Sequence, residues 1–203
     1  LELKVNENVL IPRPESELII ELALELPLKE NSSVLDLGTG SGALALALAS
    51  EKPKWDIIGT DISDISIQIA EANRNEIELD NVIFIKSNWF DDLPKDSKST
   101  KKYDLVVSNP PYLDKSDSHL NEGDLRFEPK NALIASDAGL ADIKEIIYSS
   151  IDFLSLNGWL MVEHGFEQGG SVRRFFQATN FVDFRTVRDL NNLERVTLGR
   201  FKG

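Results

Sequence analysis

The sequence predicts an α/β fold: a mostly parallel seven-stranded sheet with helices on both faces and an antiparallel C-terminal strand, preceded by a small N-terminal hairpin. Three observations predict it. From residue 33 onward, short apolar runs of strand length alternate with longer helical segments, as they do around a parallel sheet. Glycines follow the first strand at once, where the chain must turn sharply into a helix. The last two strands have only a turn around Asn191-Asn192 between them, so they pair antiparallel.

Residues 3–10 carry short apolar stretches around Asn6-Glu7-Asn8 and read as the hairpin. Ile11-Pro12-Arg13-Pro14 interrupts regular structure, because each proline fixes φ and holds its predecessor extended. Pro14 opens a helix over 14–26 with Leu18, Leu22 and Leu26 on one face. Residues 1–30 are thus a hairpin and helix packed on the main domain of 31–203. Val34-Leu35-Asp36-Leu37 is the first strand, and Leu44, Leu46 and Leu48 with alanines form the helix after it. Strands follow at 56–60, 82–85 and 103–108, with a helix at 65–77. A helix at 140–154, a strand at 159–163, a helix at 170–178 and strands at 181–187 and 195–201 complete the chain. Residues 91–102 and 112–130 are loops, the first charged and mobile.

Composition narrows the function. A 41% hydrophobic, 28% charged chain of 203 residues is an ordinary globular domain with enough apolar material for a core. It has no run of about 18 apolar residues to span a membrane and no secretory pattern, so a cytoplasmic location is expected. Without cysteine there is no disulfide, thiolate metal site or thiol nucleophile, and His119 and His164 have no ligand-like spacing; no metal is expected. Both histidines read as loop or strand-end polar groups. The net charge of −12 opposes direct nucleic-acid binding, which relies on basic surface. The chain begins at Leu1, and we read it as a fragment of a longer protein.

Asp36-Leu37-Gly38-Thr39-Gly40-Ser41-Gly42 joins the first strand to the first helix and lets a nucleotide-type ligand approach the main chain. Asp61 ends the second strand, where a carboxylate accepts from both hydroxyls of an adenosine ribose. Trp89, in Ser87-Asn88-Trp89-Phe90 after the third strand, offers a ring to stack on adenine, with Asn88 or the backbone at its edge. Trp55 and Trp159 read as packing residues. NAD and S-adenosylmethionine both fit these features.

Ser108-Asn109-Pro110-Pro111-Tyr112, directly after the fourth strand, separates them. Two prolines fix a rigid bend where an open α/β sheet presents its ligand crevice. Asn109 holds out a side-chain oxygen, and the Pro110 carbonyl is a second acceptor. Two acceptors suit an NH2 group, whose remaining electron density then faces a third direction, toward a methyl sulfonium. Tyr112 packs on the flat face of the acceptor. Asn109, Pro110 and Tyr112 are the expected catalytic residues, and Asn109, Pro110, Pro111 and Tyr112 the expected substrate contacts.

With these motifs in hand, the chain resembles the class I, Rossmann-like methyltransferases that act on planar amino groups. Within them it is similar to the peptide chain release factor glutamine N5-methyltransferases. The likeness covers nearly the whole length: Leu10-Ile11-Pro12-Arg13-Pro14-Glu15, the 36–42 loop, Asn109-Pro110-Pro111-Tyr112, Phe127-Glu128-Pro129, Ala138-Gly139-Leu140, Glu163-His164-Gly165 and Asn192-Leu193-Glu194-Arg195-Val196-Thr197-Leu198-Gly199-Arg200. The sequence departs from the family at Lys130-Asn131, where an arginine or other residue is common after the proline.

The resemblance implies an S-adenosylmethionine-dependent methyltransferase domain over 31–203, without the helical domain that usually precedes it. It implies methyl transfer to the glutamine of a Gly-Gly-Gln motif in a release factor, the expected protein partner; a monomer is expected alongside. Gly38, Thr39, Gly40, Ser41, Gly42, Asp61, Trp89 and Asn109 would hold S-adenosylmethionine. Glu15 either meets the cofactor's ammonium or serves as a first-turn carboxylate of its helix; Arg13 and Glu163 stay open between site and structure. An amino-group methyltransferase acting on rRNA or DNA bases is the alternative, and an NAD enzyme or a non-catalytic nucleotide-binding module lies further off.

Overall fold

The computed structural model describes residues 1–93, 95–96, 99–116 and 129–203. Seven strands form one sheet in the order β3-β2-β1-β6-β7-β9-β8. They are β1 (Ser33–Leu37), β2 (Asp56–Asp61), β3 (Val82–Lys86), β6 (Tyr103–Ser108), β7 (Leu154–Glu163), β8 (Phe181–Arg188) and β9 (Glu194–Phe201). The first five run parallel, and β9 lies between β7 and β8, antiparallel to both. Central strands such as β1 are buried on both faces, and so read as a near-continuous apolar run.

One face is covered by α1 (Glu17–Glu25) and α2 (Ala43–Glu51), whose Ile19, Leu22, Leu44 and Leu48 meet Val34, Ile57, Leu105 and Met161. α3 (Asp64–Ile77) adds Ala70 to the same cluster. Across the sheet, Ile143, Ile146 and Ile147 of α5 (Ala141–Ser150) and Val172 and Phe176 of α6 (Gly169–Gln177) pack on Leu35, Leu37, Val106, Leu160 and Val162. Strand alternation thus divides one sheet between two cores.

The expected hairpin at 3–10 does not form. Its apolar stretches are too short for a ladder, and the segment instead makes one turn, with Val9 N–H donating to the Asn6 carbonyl. A side chain takes the ladder's place: Asn73 of α3 accepts from Lys4 N–H at 2.8 Å and donates to the Lys4 carbonyl at 3.0 Å. The helix expected over 14–26 begins as a 3-10 turn, η1 (Pro14–Ser16), and buries Ile19, Leu22 and Ala23, with Leu18 and Leu26 only partly covered. β7 starts five residues earlier than expected, because Leu154 already pairs with Tyr103 ahead of an irregularity carrying Asn157 at φ 66°. Within the predicted 91–102 loop, β4 (Lys95–Asp96) and β5 (Ser99–Thr100) pair antiparallel. Among the described residues, no helix is long and apolar enough to cross a membrane.

Candidate active site at the carboxyl ends of the strands

The sheet order reverses beside β1: the chain leaves β1 toward β2 and returns later to lay β6 on the other side. Open α/β sheets form a ligand crevice at such a point, beyond the strands' carboxyl ends. Register fixes what meets there. Leu37 is level with Thr60 on one side and with Ser108 on the other, and Ser108 is level with Val162. Asp61, Gly38, Asn109 and Glu163 therefore emerge in a row from four adjacent strands. A cleft of ≈ 290 Å³ opens beside the first three of them, walled by Gly38, Gly40, Asp61, Trp89, Asn109 and Pro111, with Asn8 to Leu10 of the N-terminal strap along one edge.

The five-residue glycine loop divides its tasks. Gly38 and Gly40, at φ 71° and 55°, line the cleft. A Cβ on Gly38 would sit 3.3 Å from the Trp89 indole, so glycine is what lets the ring lie against the turn. Thr39, Ser41 and Gly42 are not on the cleft wall. Thr39 is buried and donates its hydroxyl to Asp36 at 2.6 Å; the Ser41 carbonyl accepts from Asn73 at 2.9 Å; Gly42 begins α2 in a left-handed conformation. Asp36 is fully buried, which pushes its carboxyl up to about 7.

Asp61 is anchored at both oxygens. Oδ2 accepts from Gly40 N–H at 3.0 Å and Oδ1 from Ser63 N–H at 2.9 Å. Ser63 itself caps α3 by accepting from Ser66 N–H. The Asp61 carboxylate keeps further lone pairs for a ligand. Trp89 sits at φ 48°, its carbonyl accepting from the hydroxyl of Ser87, and its half-buried ring forms the wall next to exposed Asn88. Trp55, in contrast, is buried in the core and donates its indole N–H to the Lys29 carbonyl.

At the other end of the cleft, Asn109 Nδ2 donates to Ser16 Oγ at 2.9 Å, and Ser16 Oγ donates to Glu163 Oε2 at 2.8 Å. The Tyr112 hydroxyl donates to Glu163 Oε1 at 3.2 Å. Burial pushes the Glu163 carboxyl up to about 7 and raises the Tyr112 phenol, the latter helped by the neighbouring Glu163 charge. Pro110 is buried, while Pro111 lines the cleft. Glu15 and Arg13 are half-buried beside this network, and Glu15 lies close enough to raise both Glu163 and Tyr112. His164 is fully buried; Nε2 lies 2.9 Å from Thr197 Oγ1 and Nδ1 2.9 Å from the Gly165 carbonyl, and burial lowers its pKa. His119, Phe127 and Glu128 lie outside the described residues.

Gln168 ties three loops together behind Tyr112. Its Nε2 donates to the carbonyls of Tyr112 (2.9 Å) and Ala138 (3.1 Å), and its Oε1 accepts from Gly165 N–H (2.9 Å). Ala138 belongs to the single turn α4 (Ser136–Gly139), where Asp137 and Ala138 are left-handed and Gly139 has φ 79°. A Cβ on Gly139 would overlap the Tyr112 carbonyl oxygen. Gly139→Ala is therefore expected to cost about 1–3 kcal/mol in denaturant unfolding, the range for a strained backbone position, and to lower kcat by moving the loop that carries Asn109.

Sequence reasoning missed Ser16, Asn73 and Gln168. The first two carried a signal: Ser16 lies on the stripe of Ile19 and Ala23, and Asn73 on that of Ser66 and Ala70, polar residues on buried helix faces. Gln168 had none, because what ties it to the site are main-chain carbonyls 56 and 30 residues away.

The fold and the glycine-lined cleft beside β1 are those of a methyltransferase domain, and the family model described as Methyltransferase domain matches residues 28–177. A methyltransferase from Pyrococcus furiosus superposes with a TM-score of 0.72 at 16% identity, covering 100% of this chain and 89% of that one. The release factor glutamine methyltransferase of Shewanella oneidensis is 44% identical over 98% of this chain and 68% of its own length, and that of Pseudomonas aeruginosa is 45% identical over 99% and 71%. The chain belongs to the release factor glutamine methyltransferase family.

Proposed function

We propose that this chain transfers a methyl group from S-adenosylmethionine to the side-chain amide nitrogen N5 of the glutamine in the Gly-Gly-Gln motif of peptide chain release factors. The observation that carries the proposal is the pairing of Leu37 with Ser108, which sets the glycine loop and Asn109 side by side over one cleft. The names of the relatives at 44% and 45% identity support the choice of substrate.

The residues present fit a nucleoside cofactor. Asp61 has lone pairs left for ribose hydroxyls, Trp89 offers a ring face beside Gly38, and a side chain on Gly38 would crowd the space between them. Gly38, Gly40, Asp61 and Trp89 would hold it, with Thr39, Ser41 and Gly42 shaping the turn from behind. When bound, S-adenosylmethionine supplies an electrophilic methyl on sulfur.

The chain's own contribution is placement. Asn109 Oδ1 and the Pro110 carbonyl each accept one N–H of the glutamine amide, which aims the nitrogen's electron density away from both. Pro111 and Tyr112 border the amide. The N–H proton becomes acidic only as the N–C bond forms, so no side chain need remove it beforehand. Holding groups in reactive alignment lowers barriers by roughly 7–11 kcal/mol, enough to dispense with a dedicated base. The reading carries with it a cytoplasmic monomer that meets its protein substrate without direct nucleic-acid binding; the net charge of −12 supports the last point.

The test is incubation with labelled S-adenosylmethionine and either a release factor or rRNA, followed by mass mapping. One added methyl on one release-factor glutamine is expected. Label in RNA alone would replace the protein substrate with a nucleic acid, and tenfold preference for NAD over S-adenosylhomocysteine in calorimetry would end the methyltransferase reading.

A further inference from the structure

The orientation of the Asn109 amide follows from a count of hydrogens. Ser16 Oγ carries one hydrogen and stands between Glu163 Oε2 at 2.8 Å and Asn109 at 2.9 Å. While Glu163 is ionised its carboxylate only accepts, so that hydrogen belongs to Glu163. Toward Asn109 the serine then presents lone pairs alone, which demand the donor Nδ2. Turning the amide over would set Oδ1 against an oxygen with no hydrogen to give. With one Nδ2 hydrogen held by Ser16, Oδ1 is the acceptor that this cleft-lining side chain keeps for a ligand.

We infer that Ser16 and Glu163 form a positioning relay that holds the Asn109 carboxamide with its oxygen toward the substrate, an inference resting on the reading of Asn109 as acceptor for the glutamine amide. The relay explains why Ser16, which Asn109 meets from 93 residues away, also meets a strand end 147 residues further along the chain than itself. It assigns the Pro14–Ser16 turn a part in the chemistry beyond starting a helix. A reversed amide would meet the glutamine NH2 donor to donor and lose an accepted hydrogen bond.

The relay also makes the orientation depend on charge. Facing Glu163 are Ser16 and Glu15 from η1, Tyr112 after β6 and Arg195 of β9. Burial raises the carboxyl to about 7, Ser16, Arg195 and Tyr112 hold it down, and Glu15 adds to the rise. Once protonated on Oε2, Glu163 donates to Ser16, whose own hydrogen turns to Asn109 and draws in Oδ1. Acid therefore inverts the amide, and kcat falls as pH drops through about 7.

The experiment measures release-factor methylation by the wild type, Ser16→Ala, Ser16→Thr and Glu163→Gln, with S-adenosylhomocysteine affinity by calorimetry. Ser16→Ala is expected to lower kcat about tenfold, the order of one hydrogen bond, with KM and S-adenosylhomocysteine affinity within about twofold. Ser16→Thr, which keeps the hydroxyl, restores most of the loss. Glu163→Gln flattens the acid limb of kcat, because the titrating group is gone. Wild-type kcat in Ser16→Ala, no recovery in Ser16→Thr, or an unchanged acid limb in Glu163→Gln would each overturn the relay while leaving the methyltransferase reading intact. A wild type that transfers no methyl to the release factor overturns both.

Discussion

Asn109→Ala is expected to lower kcat on the order of 100-fold or more while leaving S-adenosylhomocysteine affinity within about twofold, since misplacing a reacting group by about 1 Å alone costs that much. The asymmetry follows from what the side chain does. Its Nδ2 is already committed to Ser16, and Oδ1 is left for the acceptor amide. Removal takes away one of two acceptors and lets the glutamine nitrogen rotate out of line. The cofactor end stands on other elements, Gly38 after β1 and Asp61 at the end of β2, so binding there is preserved. Steady-state kinetics beside calorimetry checks this; near-normal turnover would refute the two-acceptor geometry.

The opposite split is expected for Asp61→Ala: a loss of S-adenosylhomocysteine affinity on the order of 100-fold, with a smaller change in kcat at saturating cofactor. Hydrogen bonds to a charged group contribute about 1.5–3 kcal/mol each, and a ribose would take two from this carboxylate. The substitution also strands the Gly40 and Ser63 N–H groups, which Asp61 holds at 3.0 and 2.9 Å. Gly40 then keeps its φ of 55° without its anchor, so the turn loosens at the place where the ligand approaches. Calorimetry at fixed pH reads the effect, and unchanged affinity would remove Asp61 from the binding site.

Much of this protein was legible in the chain itself. Short apolar runs forecast all seven strands of the sheet, because a central strand such as β1, buried on both faces, is apolar at successive positions and an edge strand such as β8 buries alternate ones. The glycines at 38 and 40 and the prolines at 110 and 111 were legible for a local reason: glycine opens the left-handed region to the backbone and proline fixes φ, wherever they occur. The N-terminal hairpin failed on the same logic in reverse. Residues 3–10 have weak local preference, and a tertiary partner, the amide of Asn73, claimed the backbone that a ladder would have used.

What the sequence by itself determined were the strand-helix alternation, the two rigid turns and the residue types at their tips, all properties of neighbours along the chain. Only the tertiary structure decided that β6 lies against β1, that Thr39, Ser41 and Gly42 turn away from the cleft, and that Ser16, Asn109 and Glu163 share hydrogens. Those facts depend on register between strands and on donors meeting acceptors across 93 and 147 residues, and no local pattern encodes a partner at such a distance.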